Sequence, residues 1–170
     1  IIDPEEKSII KNVIEFSDLE AGDVMRPRAD IIAVELNTNF DEMKNVILRE
    51  LHTRIPVYRE TLDDIIGFVH VKDFFAHVCT NVPFNLKNLL HEILVVPPSM
   101  KVIDLLYRMR DKKCHIAIVV DEYGGTSGLV TMEDLVEEIV GDIADEHDED
   151  EKTSIHQVSD NLFEVSARTE

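Results

Sequence analysis

Apolar residues recur along this chain at two periods, and the two alternate in a repeating order. In residues 4–16, Ile9, Ile10, Val13 and Ile14 fall on one side of an amphipathic helix. A strand-like run at residues 31–34 is followed by Phe40, Met43, Val46, Ile47 and Leu51 at helical spacing, with Thr38 or Asn39 placed to cap the helix. Two short strands come next, at residues 55–58 and 65–70, parted by turn-rich residues 60–64, and a second helix closes the unit. The order then starts again. Residues 93–96 form a strand, and Val102, Leu105, Leu106 and Met109 a helix after Ser99. Strands at 116–120 and 127–130 flank a turn at 122–125, and a closing helix follows. The helical apolar positions are expected in the core.

The repeat is also visible residue by residue. Gly67-Phe68-Val69-His70-Val71-Lys72-Asp73-Phe74 reads against Gly128-Leu129-Val130-Thr131-Met132-Glu133-Asp134-Leu135, an offset of 61 positions. The same offset, without a gap, sets Arg54-Ile55-Pro56-Val57 against His115-Ile116-Ala117-Ile118. A unit of about 60 residues would not bury a large core alone, so the two are expected to pack on each other. The expected fold class is α+β: strand, helix, strand, strand, helix, repeated twice about a pseudo-twofold axis. This divides the chain into a helical arm (1–21), a first motif (22–81) and a second (82–141). After Gly141, seven acidic residues between Asp142 and Glu151 predict a charged linker over 142–154. Residues 155–170 begin a further unit whose strand pattern is unfinished, so the chain reads as part of a longer protein.

Charge and composition narrow the function. With 17 Lys and Arg against 35 Asp and Glu among 170 residues, the formal charge of −18 repels nucleic-acid phosphates and anionic lipid surfaces. No apolar run approaches the roughly 20 residues that a helix needs to span a bilayer. Cys79 and Cys114 lie far apart and give neither a disulfide framework nor a zinc pattern, which fits a reducing cytoplasm. Nucleophile elbows, phosphate-binding loops and zinc-protease spacings are missing, so no enzyme is expected.

A strand ending in Gly-apolar-Val, followed by Thr-x-x-Asp at a helix start, resembles the CBS motif, and two copies resemble a Bateman module. Four further strings sharpen the likeness: Asp23-Val24-Met25-Arg26-Pro27-Arg28, Arg54-Ile55-Pro56-Val57-Tyr58, Asp121-Glu122-Tyr123-Gly124-Gly125, and the run from Glu133 to Gly141. Together they are similar to the CorC/haemolysin C family of magnesium and cobalt efflux proteins. That resemblance implies a homodimer and a regulatory module for an adenine nucleotide, AMP or ATP; any magnesium is read as weakly held or bridged by nucleotide phosphates. It also implies a cytoplasmic location, at the inner face of the membrane where the parent or a partner carries a transport domain.

Adenosine needs an apolar slot, an acceptor for its ribose diol and donors for phosphate. Asp134 can accept from both ribose hydroxyls, and Thr131, three residues earlier, can donate. The same pair can equally be a helix cap, and the residues alone leave both readings open. The resemblance implies an adenine slot lined from the first motif by Ile55, Val57 and Tyr58 and by the loop at Met25 and Arg26. Arg26 departs from the family's pattern, in which Thr or a small apolar residue often stands there, and two readings stay open for it: pairing with phosphate or pointing to solvent. His70 stands where the second motif has Thr131, so a matching site on Asp73 is less expected. His115 is either a structural histidine or faces that first-motif site. The acidic residues after Gly141 lack the spacing of a cation-binding loop and are read as a solvated linker. The rival to nucleotide binding is a ligand-free dimerisation module.

Overall fold

A computed structural model describes residues 4–80 and 82–141, together with the backbone of two strands at 155–159 and 162–165. The chain opens with helix α1 (Pro4–Phe16), a turn of helix α2 (Ala21–Val24), a short strand β1 (Arg26–Pro27) and a 3-10 turn at Arg28–Asp30. The first motif continues through β2 (Val34–Glu35), α3 (Phe40–Glu50), β3 (Arg54–Tyr58), β4 (Ile65–His70) and α4 (Val71–Val78). The second runs through β5 (Leu90–His91), β6 (Leu94–Val96), α5 (Val102–Lys112), β7 (Ile116–Val120), β8 (Thr126–Thr131) and α6 (Met132–Val140). Strands β9 (Ile155–Ser159) and β10 (Leu162–Val165) pair antiparallel. The acidic linker expected at 142–154 lies outside the described residues.

Two four-stranded sheets result, ordered β2-β3-β4-β5 and β1-β8-β7-β6. Each is completed by a strand from the other half. β5 leads the second motif yet pairs antiparallel with β4 of the first, while β1 leads the first and pairs with β8 of the second. Glycine makes both exchanges fit. A Cβ on Gly67 would stand 2.5 Å from the His91 carbonyl oxygen, and one on Gly128 would stand 2.5 Å from the Arg26 oxygen. These equivalent positions are where a foreign backbone passes close.

The ladders correct the gapless alignment. Ile55 pairs with Val69 and Val57 with Gly67, whereas Ala117 pairs with Val130 and Val119 with Gly128. Ile55 is therefore the counterpart of Ala117 rather than of Ile116, because the turn between β3 and β4 is one residue longer than that between β7 and β8. A slip of one residue moves a strand side chain to the opposite face.

Three apolar clusters hold the halves. Met43, Ile47, Ile55, Val57, Val69 and Phe74 fill the first motif, and Val102, Leu105, Met109, Ala117, Val119 and Leu135 the second, with Phe16 and Ala21 of the arm packed in. Phe68, Cys114, Ile116, Ile118 and Leu129 form the third, where the two sheets meet. Asn39 rather than Thr38 caps α3, in a reciprocal arrangement with Glu42.

Several expectations change. The strand at 31–34 shrinks to Val34–Glu35, since Arg28–Asp30 coils and only Val34 and Glu35 reach β3. Lys101, not Ser99, precedes α5. The N–H groups of Ala21 and Gly22 donate to the oxygens of Met100 and Pro98, and these bonds hold that segment extended. Leu51, expected in the core, is 82% exposed because it ends α3 in the left-handed conformation. On α1, Ile9, Ile10, Val13 and Ile14 stay exposed. The helix is tied to α6 instead by buried Phe16 and by a 3.3 Å bond from Asn12 to the Ile139 oxygen. On α6 the apolar residues divide: Leu135 is core and Ile139 packs beside it, while Val136 and Val140 face outward.

Candidate functional site

The exchange of strands brings the chemistry together. β1 carries Arg26 across to β8, opposite Leu129, and β8 ends at Thr131, where α6 begins. A cleft of about 210 Å³ opens between the motifs. Ile31, Ile32, Pro56, Ile116 and Leu129 give it apolar walls; Arg26, Asp30, Arg54, Thr131 and Glu133 supply polar groups. Such a mixture suits a ligand with a flat apolar part and a charged tail.

Thr131 and Asp134 form a capping box. The Asp134 N–H donates to Thr131 Oγ1 at 3.2 Å, and the Thr131 N–H and hydroxyl donate to Asp134 Oδ2 at 2.8 and 2.6 Å. The other carboxylate oxygen, Oδ1, takes a 3.1 Å bond from Arg26 Nη2. The Asp134 side chain is only 15% exposed while that of Arg26 is 51% exposed, so the arginine covers the acid from the cleft side. A few residues away, Arg54 donates to Glu133 at 2.9 Å and approaches His115 Nδ1 at 3.3 Å. Arg54 is the more buried of the two arginines, with its side chain 16% exposed.

The first-motif counterpart is built alike from other residues. Asp73, the equivalent of Asp134, meets His91 Nε2 at 2.6 Å, and His91 pairs with Phe68 as Arg26 pairs with Leu129. His70 replaces Thr131 as cap, its Nδ1 accepting from the Lys72 N–H at 3.2 Å. Burial first, then the charges of Arg54 and Lys72, hold the His70 pKa below the ordinary imidazole value.

Not every expected residue reaches the cleft. Arg26 and Thr131 line it, and Asp134 sits behind Arg26. Met25 is half-buried, its sulfur packed near Gly128. Tyr58 pairs with Glu35 and Ile65 at the far end of β3. Ile55 and Val57 are fully buried in the first-motif core, so they face away from the cleft wall expected of them. Their alternates Arg54 and Pro56 line it instead. The charge of Arg54 within an otherwise apolar strand was the signal for the face, since strand side chains alternate.

A second polar group fastens the two motifs to each other. Arg28 pairs with the Asp63 carboxylate, Asp63 accepts the Thr126 N–H at 2.9 Å, and the Thr126 hydroxyl donates to the Leu62 oxygen at 2.6 Å. The Arg28 bond, then the Thr126 N–H, lower the Asp63 pKa below its ordinary value. Among the described residues no group of three or more His, Cys, Asp or Glu is set to hold a metal ion. No helix among them is long and apolar enough to cross a membrane.

Comparison with known proteins agrees with this architecture. The CBS domain family matches residues 21–79 and 87–141. A haemolysin C homologue of Rickettsia rickettsii (strain Sheila Smith) is 47% identical over 168 residues, covering 98% of this chain and 56% of the relative. The chain thus spans about half the length of the curated relatives it matches. The CBS domain of a bacterial CNNM/CorC family Mg2+ transporter superposes with a TM-score of 0.79 at 36% identity, covering 85% of this chain and 88% of that one. The corresponding structure in complex with ATP gives 0.77 at 36% identity, covering 82% of this chain and all of that one. The two matched repeats, the curated relatives and the superposed structures agree: the chain belongs to the CBS domain family, as a tandem CBS module of the CorC/haemolysin C kind.

Proposed function

We propose that this chain is a non-catalytic regulatory module that binds an adenine nucleotide, AMP or ATP, in the cleft between its two CBS motifs. In this reading it controls divalent-cation transport, of magnesium or cobalt, from the cytoplasmic face of a membrane. The observation that carries the proposal is the Thr131-Asp134 pair at the head of α6, beside a cleft with apolar walls and two arginines. The base takes the apolar walls, the ribose hydroxyls go to Asp134, and the phosphates go to Arg26 and Arg54, with any magnesium bridged by those phosphates. The relative solved with ATP supports the choice of ligand class. The domain limits proposed are 1–21, 22–81, 82–141, a linker at 142–154 and a further unit from 155. A homodimer is part of the reading, with the outward Val136 and Val140 of α6 available for its interface.

Calorimetric titration with ATP and AMP tests the proposal. Asp134→Ala removes the ribose acceptor, and with bonds to a charged acceptor contributing about 1.5 to 3 kcal/mol, affinity should fall at least about tenfold. The variant also loses a helix-cap interaction of about 1 kcal/mol, which lowers the melting temperature without unfolding the chain. Light scattering on the same samples is expected to give the dimer mass.

One observation favours a second reading, a ligand-free interaction module: both Asp134 oxygens are already hydrogen-bonded within the protein. Absence of binding heat with either nucleotide, in a folded wild-type sample, would establish that reading instead.

A further inference from the structure

Arg26 occupies the acceptor that a ribose would need. Its guanidinium lies 3.1 Å from Asp134 Oδ1, while the Thr131 N–H and hydroxyl fill Oδ2, so this carboxylate keeps a single acceptor site, on Oδ1, for the two hydroxyls of a ribose. The cleft measures about 210 Å³, below the roughly 300 to 1,000 Å³ of ordinary small-molecule sites, and Arg26 is among the side chains that line it. Half exposed and mounted on the two-residue edge strand β1, this side chain can swing out without disturbing the core.

We infer that Arg26 is an internal plug that makes the site select phosphorylated adenosine over the bare nucleoside. The inference rests on the nucleotide reading of the cleft. For both of its hydroxyls to bind Asp134 a ribose must displace the guanidinium, and the two ligand classes differ in what they give back. A nucleoside offers the displaced cation only water. A nucleotide offers phosphate oxygens, to which a guanidinium donates in a bidentate, charge-assisted manner. The exchange therefore costs the nucleoside an ion pair and leaves the nucleotide with one ion pair traded for another. Arg54 cannot play this part as readily, being more buried and held by both Glu133 and His115.

The test is titration of the whole chain, wild type and Arg26→Gln, with adenosine and with ATP. Removing a partly exposed ion pair should tighten adenosine by about two- to fivefold. Losing a charged phosphate donor should weaken ATP by about tenfold. The ATP-to-adenosine preference then drops by more than tenfold, a change that general damage to the fold does not produce. Arg26→Lys keeps the charge without the fork and should fall between. Equal shifts for both ligands, or no shift, would overturn the plug. Should the folded wild type bind neither ligand, the nucleotide reading itself fails, an outcome separate from any effect of the variants.

Discussion

His70, which stands where the second motif has Thr131, is one of the residues at which the two motifs differ in chemistry. Its Nδ1 accepts the Lys72 N–H at the head of α4, a role that requires the ring to be neutral. Burial and the nearby cations lower its pKa from 6.5. As pH falls below the unfolded-state value, the unfolded chain takes up a proton that the folded ring resists, so stability declines with decreasing pH until the folded ring also titrates. Asn caps helices without titrating. Melting temperatures of wild type and His70→Asn between pH 7 and 5 should therefore diverge, with the variant losing less on acidification. Parallel curves would remove His70 as a source of the pH dependence. The departure from Thr131 and the neighbouring Lys72 were legible in the sequence, but Arg54 reaches the ring from a separate strand.

Among the elements, the exchanged strands β1 and β5 decide the architecture. Each has two residues, a length at which hydrophobic alternation carries no information. Gly128 and Gly67 reveal them, because only a missing Cβ lets the foreign carbonyl pass. Gly128→Ala would set a methyl 2.5 Å from the Arg26 oxygen and 2.6 Å from the Met25 sulfur. A clash against backbone should cost about 1 to 3 kcal/mol and loosen β1, moving Arg26 as well. Urea denaturation measures it; a change within about 0.5 kcal/mol, the scatter of ordinary surface substitutions, would mean that β1 yields freely.

In the whole molecule, the two motifs share strands, a cluster of side chains and the Arg28-Asp63-Thr126 fastening. Neither half contains a complete sheet from its own contiguous motif, so unfolding of residues 4–141 should be a single cooperative step. Phe68 lies in the shared cluster with Ile116, Ile118 and Leu129. Phe68→Ala should destabilise by about 3 to 5 kcal/mol, the usual cost of emptying a buried aromatic site, and should lower one common transition. Two separated steps in the calorimetric trace of wild type would show that the halves are independent, against the shared sheet and core.

The sequence by itself determined the repeat, the central helices and hairpins, the motif at Thr131 and Asp134, and the family likeness, because each is written in local spacing. It also marked Arg26, though not its partner. Tertiary structure decided which strands close each sheet and which face of β3 meets the cleft. Ile55 and Val57 were assigned to the slot by resemblance, and a turn one residue longer than its counterpart shows why the two motifs cannot be superposed without a gap. The pairing of Arg26 with Asp134 spans 108 positions. No periodicity encodes such a contact, since it arises only when a two-residue strand crosses to the opposite motif and brings its side chain to the head of α6.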